Sequence, residues 1–130
     1  MFHTFSNIDE RRKFGGSAFI ELQYCKLSAQ TKLKKIVSIK SIQNWKDDSL
    51  YIHVDDLDSF VESYGSIINN GTYNNMKSGV VDVFGINYYT IENMKELVDV
   101  VTKSKPMDDE KLLSWLKEGL QYNGFYLLGI

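Results

Sequence analysis

Cysteine and proline each occur once in this 130-residue chain, as Cys25 and Pro106. A lone cysteine cannot close a disulfide within the chain, so a disulfide-stapled fold is excluded and a reducing compartment, the cytoplasm, is expected. Histidine is nearly as scarce. His3 and His53 are far apart in sequence and, with one cysteine, do not supply the clustered ligands of a metal site. No G-x-x-x-x-G-K-[ST] loop is present, and Gly15-Gly16 stands alone, so no phosphate cradle is expected. Neither a metal nor an organic cofactor is therefore expected. No apolar run approaches the roughly 18–20 residues of a membrane span. The opening Met1-Phe2-His3-Thr4-Phe5-Ser6 lacks the basic-then-apolar order of a secretory signal. The net charge of −2 leaves no basic excess for nucleic acid. With no Gly/Ser-rich linker and no repeat, residues 1–130 are expected to form a single globular domain.

Apolar residues are plentiful, 43% of the chain, and they recur with readable periods. Asn7 to Phe14 predicts a short helix with Asn7 as N-cap, broken by Gly15-Gly16. Ser17 to Leu27 fits a strand or a helix; its aromatics and the preceding glycines favour the strand. That strand would place Phe19, Glu21, Gln23 and Cys25 on one face. A loop or helical turn follows to Lys35. Ile36 to Ile42 and Leu50 to Val54 predict strands. Leu57, Phe60, Val61, Tyr64, Ile67 and Ile68 form one face of a helix that Asp55 would cap and Asn69-Asn70-Gly71 would stop. Thr72 to Ser78 is a polar loop and Gly79 to Phe84 a strand. Gly85 would be a bulge or kink, after which Ile86 to Tyr89 continues the strand or begins a turn. Thr90 caps a helix striped by Ile91, Met94, Leu97, Val98 and Val101. Asp108-Asp109-Glu110 opens another, with Leu112, Leu113, Trp115, Leu116 and Leu120 on its buried side. The last run, Phe125 to Ile130, is apolar throughout, which places it in the middle of a sheet with both faces covered. The fold class is α+β: a mixed or antiparallel central sheet of about four to six strands, with about three to four helices packed on it.

Chemistry is sparse. His53 beside Asp55 and Asp56 has two readings, a base oriented by a carboxylate or a strand histidine hydrogen-bonded in place. Cys25 reads as core packing. What remains is surface. Acids gather at Asp47-Asp48, at Asp55, Asp56, Asp58 and Glu62, and at Asp108, Asp109 and Glu110. Helix N-termini attract such residues, but Glu62 extends the second group a turn beyond the dipole's reach. An acidic face for a basic partner is the sharper reading. Tyrosines crowd the second half at Tyr73, Tyr88, Tyr89, Tyr122 and Tyr126, serving either as interface anchors or as the rim of a core.

The string DVFGINYYTIENM, the Lys105-Pro106 break, LLSWL and the closing YNGFYLLGI carry a family likeness. In texture and order, residues 50–130 resemble the immunity proteins of bacterial contact-dependent growth inhibition and related polymorphic toxin systems. The resemblance implies a cytoplasmic protein without catalysis or cofactor, which binds and neutralises a cognate toxin domain, often a nuclease. Asp55, Asp56, Asp58 and Glu62, with Tyr64 and Tyr73 as aromatic anchors, are the candidate binding residues; pairing of the partner with an open sheet edge is the other route. The competing classes are a small enzyme using His53 with Asp55 or Asp56, and a structural adaptor subunit.

Overall fold

The structure, a computed structural model, describes residues 1–39 and 46–130. Its scaffold is one antiparallel sheet whose strands are β1 (Phe2–His3), β2 (Phe19–Tyr24), β3 (Leu50–His53), β4 (Gly71–Tyr73), β5 (Ser78–Gly79), β6 (Ile86–Tyr89) and β7 (Phe125–Leu128). They lie in the order β1-β3-β2-β7-β6-β4-β5. The terminal run is thus the central strand, between β2 and β6, as its unbroken apolar character requires. All four residues of β7 are buried. Phe125 and Leu127 join one core, while Tyr126 and Leu128 join another on the opposite face. Gly124 (φ +79°) makes the turn into this strand.

The main core lies under α3 (Leu57–Tyr64), α4 (Ile91–Ser104) and α5 (Asp109–Gly119). Each buries most of the stripe its sequence advertises: Phe60 and Tyr64 from α3; Met94, Leu97 and Val101 from α4; Leu112, Trp115 and Leu116 from α5. Val61 and Leu120, expected on the buried sides, are exposed, Leu120 lying just past the end of α5. Thr90 and Asn93 close a reciprocal capping box at the head of α4, with both bonds at 3.1 Å. The second face carries α1 (Ile8–Gly15) and the short α2 (Leu33–Ile36). Asn7 Oδ1 accepts from Glu10 N at 2.9 Å, as its capping role requires. Cys25, Tyr88 and Tyr126 pack beneath Ile36 and Val37.

Several expectations are corrected. Among the described residues the sheet has seven strands and the chain five α-helices, more than anticipated. The extra strands are short: two-residue β1, and the β4–β5 hairpin inside the stretch read as a polar loop. Residues 33–36 are helical where a strand was expected from Ile36. A short apolar run looks the same in either state, and here burial of Ile36 and Val37 against Tyr126 is satisfied by one helical turn. The remainder of that predicted strand, Lys40 to Ile42, lies outside the described residues. Gly79 to Phe84 is not a strand beyond Gly79. The Asp82 carboxylate accepts from Phe84 N at 3.0 Å, and Gly85 N donates to Asp82 O, so the aspartate turns the chain locally. Buried Asn87 locks that turn by bonding the Asp82 main chain in both directions. The strand forms instead at Ile86–Tyr89. α3 is shorter than its apolar period, ending at Tyr64.

Candidate functional site

An acidic surface is built at the junction of β3 and α3. Asp55 does not cap α3. A 3₁₀ turn, Val54–Asp56, precedes the helix, and the N-cap position belongs to Asp56, whose side chain makes no capping bond. The capping acceptor is His53: its Nδ1 accepts from Asp55 N at 3.1 Å. Its Nε2 lies 3.0 Å from Gly15 O and donates to it. Those two bonds select the Nε2–H tautomer and occupy both ring nitrogens with backbone. The ring packs edge-on against Phe19 at 5.1 Å, and Gly15 leaves it no spare room, since a Cβ there would sit 2.4 Å from Cδ2. The hydrogen-bonded strand histidine is the arrangement found. The Asp55 carboxylate, 3.4 Å from Nδ1, faces solvent and orients nothing toward a cleft.

From this start, Asp55 in the 3₁₀ turn and Asp58 and Glu62 on α3 are exposed, the last two on the helix face opposite buried Phe60 and Tyr64. Among the described residues none of Asp56, Asp58 and Glu62 lies within 4 Å of a lysine or arginine nitrogen. Val54, next to Asp55, and Val61, next to Glu62, are also exposed. The third acidic group is brought alongside. Tyr64 Oη donates to Met107 O at 2.6 Å, tying the end of α3 to the head of α5. Asp108 receives Phe2 N at 3.0 Å and lies 3.2 Å from the Met1 amino group. Burial pushes the Asp108 carboxyl up, but these contacts with Phe2 and the amino group outweigh it and hold the carboxyl below its ordinary value. His3, between the two acidic groups, is shifted down, first by burial and then by the amino group and Lys111; Asp56 and Asp108 oppose that shift. Asp56, from the first acidic group, and Asp108, from the third, therefore both lie near His3.

Other predicted site residues fall elsewhere. Tyr64 is fully buried and is not a surface anchor: helical period places it with Phe60, and its ring packs on Phe2 at 5.5 Å. Burial, then Asp109 and Asp108, raise its phenol above the ordinary range. Tyr73 is half-buried on β4, four strands along the sheet from β3, or about 19 Å at ~4.8 Å per strand. Its hydroxyl donates to Val80 O. Asp48 sits at the far end of β3, where it pairs with Lys26 at 2.6 Å. Tyr88, Tyr89 and Tyr126 are core residues.

One charged pair escaped the sequence reading. Glu21, only 5% exposed, lies on the second face and accepts from Ser49 Oγ at 2.7 Å and Gln23 Nε2 at 2.8 Å. Desolvation raises its pKa, and the Ser49 and Gln23 bonds offset only part of that rise. Arg11 of α1 lies over the rings of Phe19 and Tyr51, 5.7 and 5.4 Å from their centroids. The available signal was a glutamate at an inward position of an otherwise apolar strand.

No protein-family model matches this sequence, and no curated protein or solved structure matches it either. Among the described residues no helix is long and apolar enough to cross a membrane.

Proposed function

We propose that this protein is an immunity protein, which neutralises a toxin domain by covering its active site or substrate approach. The observation that carries this reading is the acidic surface of the 3₁₀ turn and α3: Asp55, Asp58 and Glu62 stand exposed, with no lysine or arginine nitrogen within 4 Å of them among the described residues. Val54, Val61 and exposed Met107 supply apolar contact among the carboxylates, the mixture that protein interfaces use. A partner with a basic surface fits such a face. A nuclease domain is the proposed class, because a site that attracts phosphate is electropositive. Complementary charge would then speed encounter and fix orientation.

The alternative route, strand addition at a sheet edge, has less support. The edge strands β1 and β5 are two residues long, and so short an edge offers few main-chain bonds to a partner. The cytoplasm remains the proposed compartment, since such a complex must form where the toxin acts and the lone cysteine is compatible with a reducing medium.

The test is binding to the toxin-like domain encoded beside this chain's reading frame, with wild type compared against the double variant Asp58→Lys/Glu62→Lys. Wild type should bind and protect cells. The variant should associate at least tenfold more slowly at low salt, with an unchanged melting temperature. Equal association rates would remove the acidic face from the interface. Absence of binding by wild type would remove the immunity reading itself.

A further inference from the structure

On the sheet face opposite α3–α5, residues of α1, β2 and the end of the chain enclose a cleft of about 260 Å³. Arg11, Ser17, Phe19, Glu21, Leu128 and Ile130 line it. Its two charged walls are poorly matched. Arg11 Nε is buried and has no hydrogen-bond partner. No carboxylate among the described residues lies within 4 Å of the Arg11 guanidinium. Across the cleft, Glu21 is held in place by Ser49 and Gln23, yet no cation among the described residues is within 4 Å of it. Opposite charges therefore share one cavity without touching. A buried donor left unpaired is rare in folded proteins and destabilising. This one is enclosed where the guanidinium lies over the Phe19 and Tyr51 rings, and the Arg11 side chain contributes to the wall of the cleft beside apolar Phe19, Leu128 and Ile130.

We propose that this cleft binds a small free amino acid, whose carboxylate meets Arg11 and whose ammonium meets Glu21. A planar guanidinium suits a carboxylate. A simple anion would pair with Arg11 but be repelled by Glu21, and a simple cation would suffer the reverse. A zwitterion satisfies both walls and carries no net charge into the cleft. The volume sets the size: about nine heavy atoms at the roughly 30 Å³ of a water-sized group. Leucine is near that limit. Phe19, Leu128 and Ile130 favour an aliphatic side chain over a polar one.

The experiment is an NMR titration of the full ¹⁵N-labelled chain with glycine, L-alanine, L-valine and L-leucine, with acetate and n-butylamine as one-ended probes. Saturable shifts should appear at Arg11 Nε–H, Ser17 and Gly129 with at least one aliphatic amino acid. Acetate and butylamine should bind at least tenfold more weakly. Arg11→Gln and Glu21→Gln should each weaken the amino acid at least tenfold while the remaining spectrum keeps its dispersion. If Arg11→Gln does not fold, Arg11→Lys, which retains charge without the planar fork, should weaken binding several-fold. No shift with any of the four amino acids at roughly 10 mM, where a 1 mM Kd would be near saturation, overturns the proposal and leaves water in the cleft. Binding undiminished in either charge variant, or acetate binding as well as the amino acids, also overturns it.

Discussion

Replacing His53 with alanine separates a structural histidine from a catalytic one, and its effect can be worked from three contacts. The ring caps the 3₁₀ turn through Asp55 N, an interaction of about 1 kcal/mol. It donates to Gly15 O, which adds about 1 kcal/mol for a net intramolecular hydrogen bond. Its edge contact with Phe19 contributes about 0.5–1 kcal/mol. His53→Ala should therefore lower stability by about 2–3 kcal/mol. For 130 residues the unfolding entropy near the midpoint is about 0.27 kcal/mol/K, so Tm should fall by about 7–11 °C. Asparagine divides the effect. His53→Asn can still accept from Asp55 N but is too short to reach Gly15, and should lose roughly half as much. Thermal unfolding followed by circular dichroism measures both. A fall of less than about 2 °C for the alanine variant would refute this account of His53 and return it to the list of functional candidates. Partner binding by the folded variant should fall far less than in Asp58→Lys/Glu62→Lys, because the ring is mostly enclosed by Gly15 and Phe19 and of the acids touches Asp55 alone.

Two further substitutions test the fold and its charges. Gly124→Ala should be strongly destabilising, by about 2–4 kcal/mol, because φ is +79° and a Cβ would lie 2.1 Å from Tyr89 O; a chemical-denaturation midpoint close to wild type would contradict the turn geometry. Glu21 gives a pH signature. Its folded pKa is raised by burial, so the native state holds the proton more tightly than the unfolded chain. Its contribution is then fully present below the ordinary glutamate value and is lost as pH rises through the folded value. Glu21→Gln should remove that loss, making stability at pH 7 equal to or above wild type and flattening the stability–pH curve above pH 4.5. A clear destabilisation at pH 7 would show that the ionised carboxylate is needed.

Period and composition made much of this molecule legible. The capped α1 and α4, the apolar stripes of α3, α4 and α5, and the buried central strand follow from spacing, because a side chain's face is set by 3.6- or 2-residue repeats whatever lies opposite. The acids on α3 were visible for the same reason: Asp58 and Glu62 occupy the face that the apolar stripe leaves free, and Asp55 precedes them in the 3₁₀ turn. Where runs were short the sequence was ambiguous. Ile36 and Val37 suit one turn of helix as well as a strand, and Val80 to Phe84 lost its strand to a turn made by Asp82 and clasped by Asn87, a residue from beyond it.

Tertiary structure alone decided the rest. It put His53 against Gly15, thirty-eight positions away, and so made it a cap. It buried Tyr64 under Phe2 and sent Tyr73 toward the far side of the sheet. It tied the end of α3 to the segment before α5 through the bond from Tyr64 to Met107. It also set Arg11 and Glu21 across one cleft without contact. Local pattern determines which face a residue shares with its own element. Which distant element covers that face is set by strand order and packing; the shifts of Glu21 and Tyr64 arise when that cover displaces water, and that of Asp108 when the chain's amino terminus is brought against it.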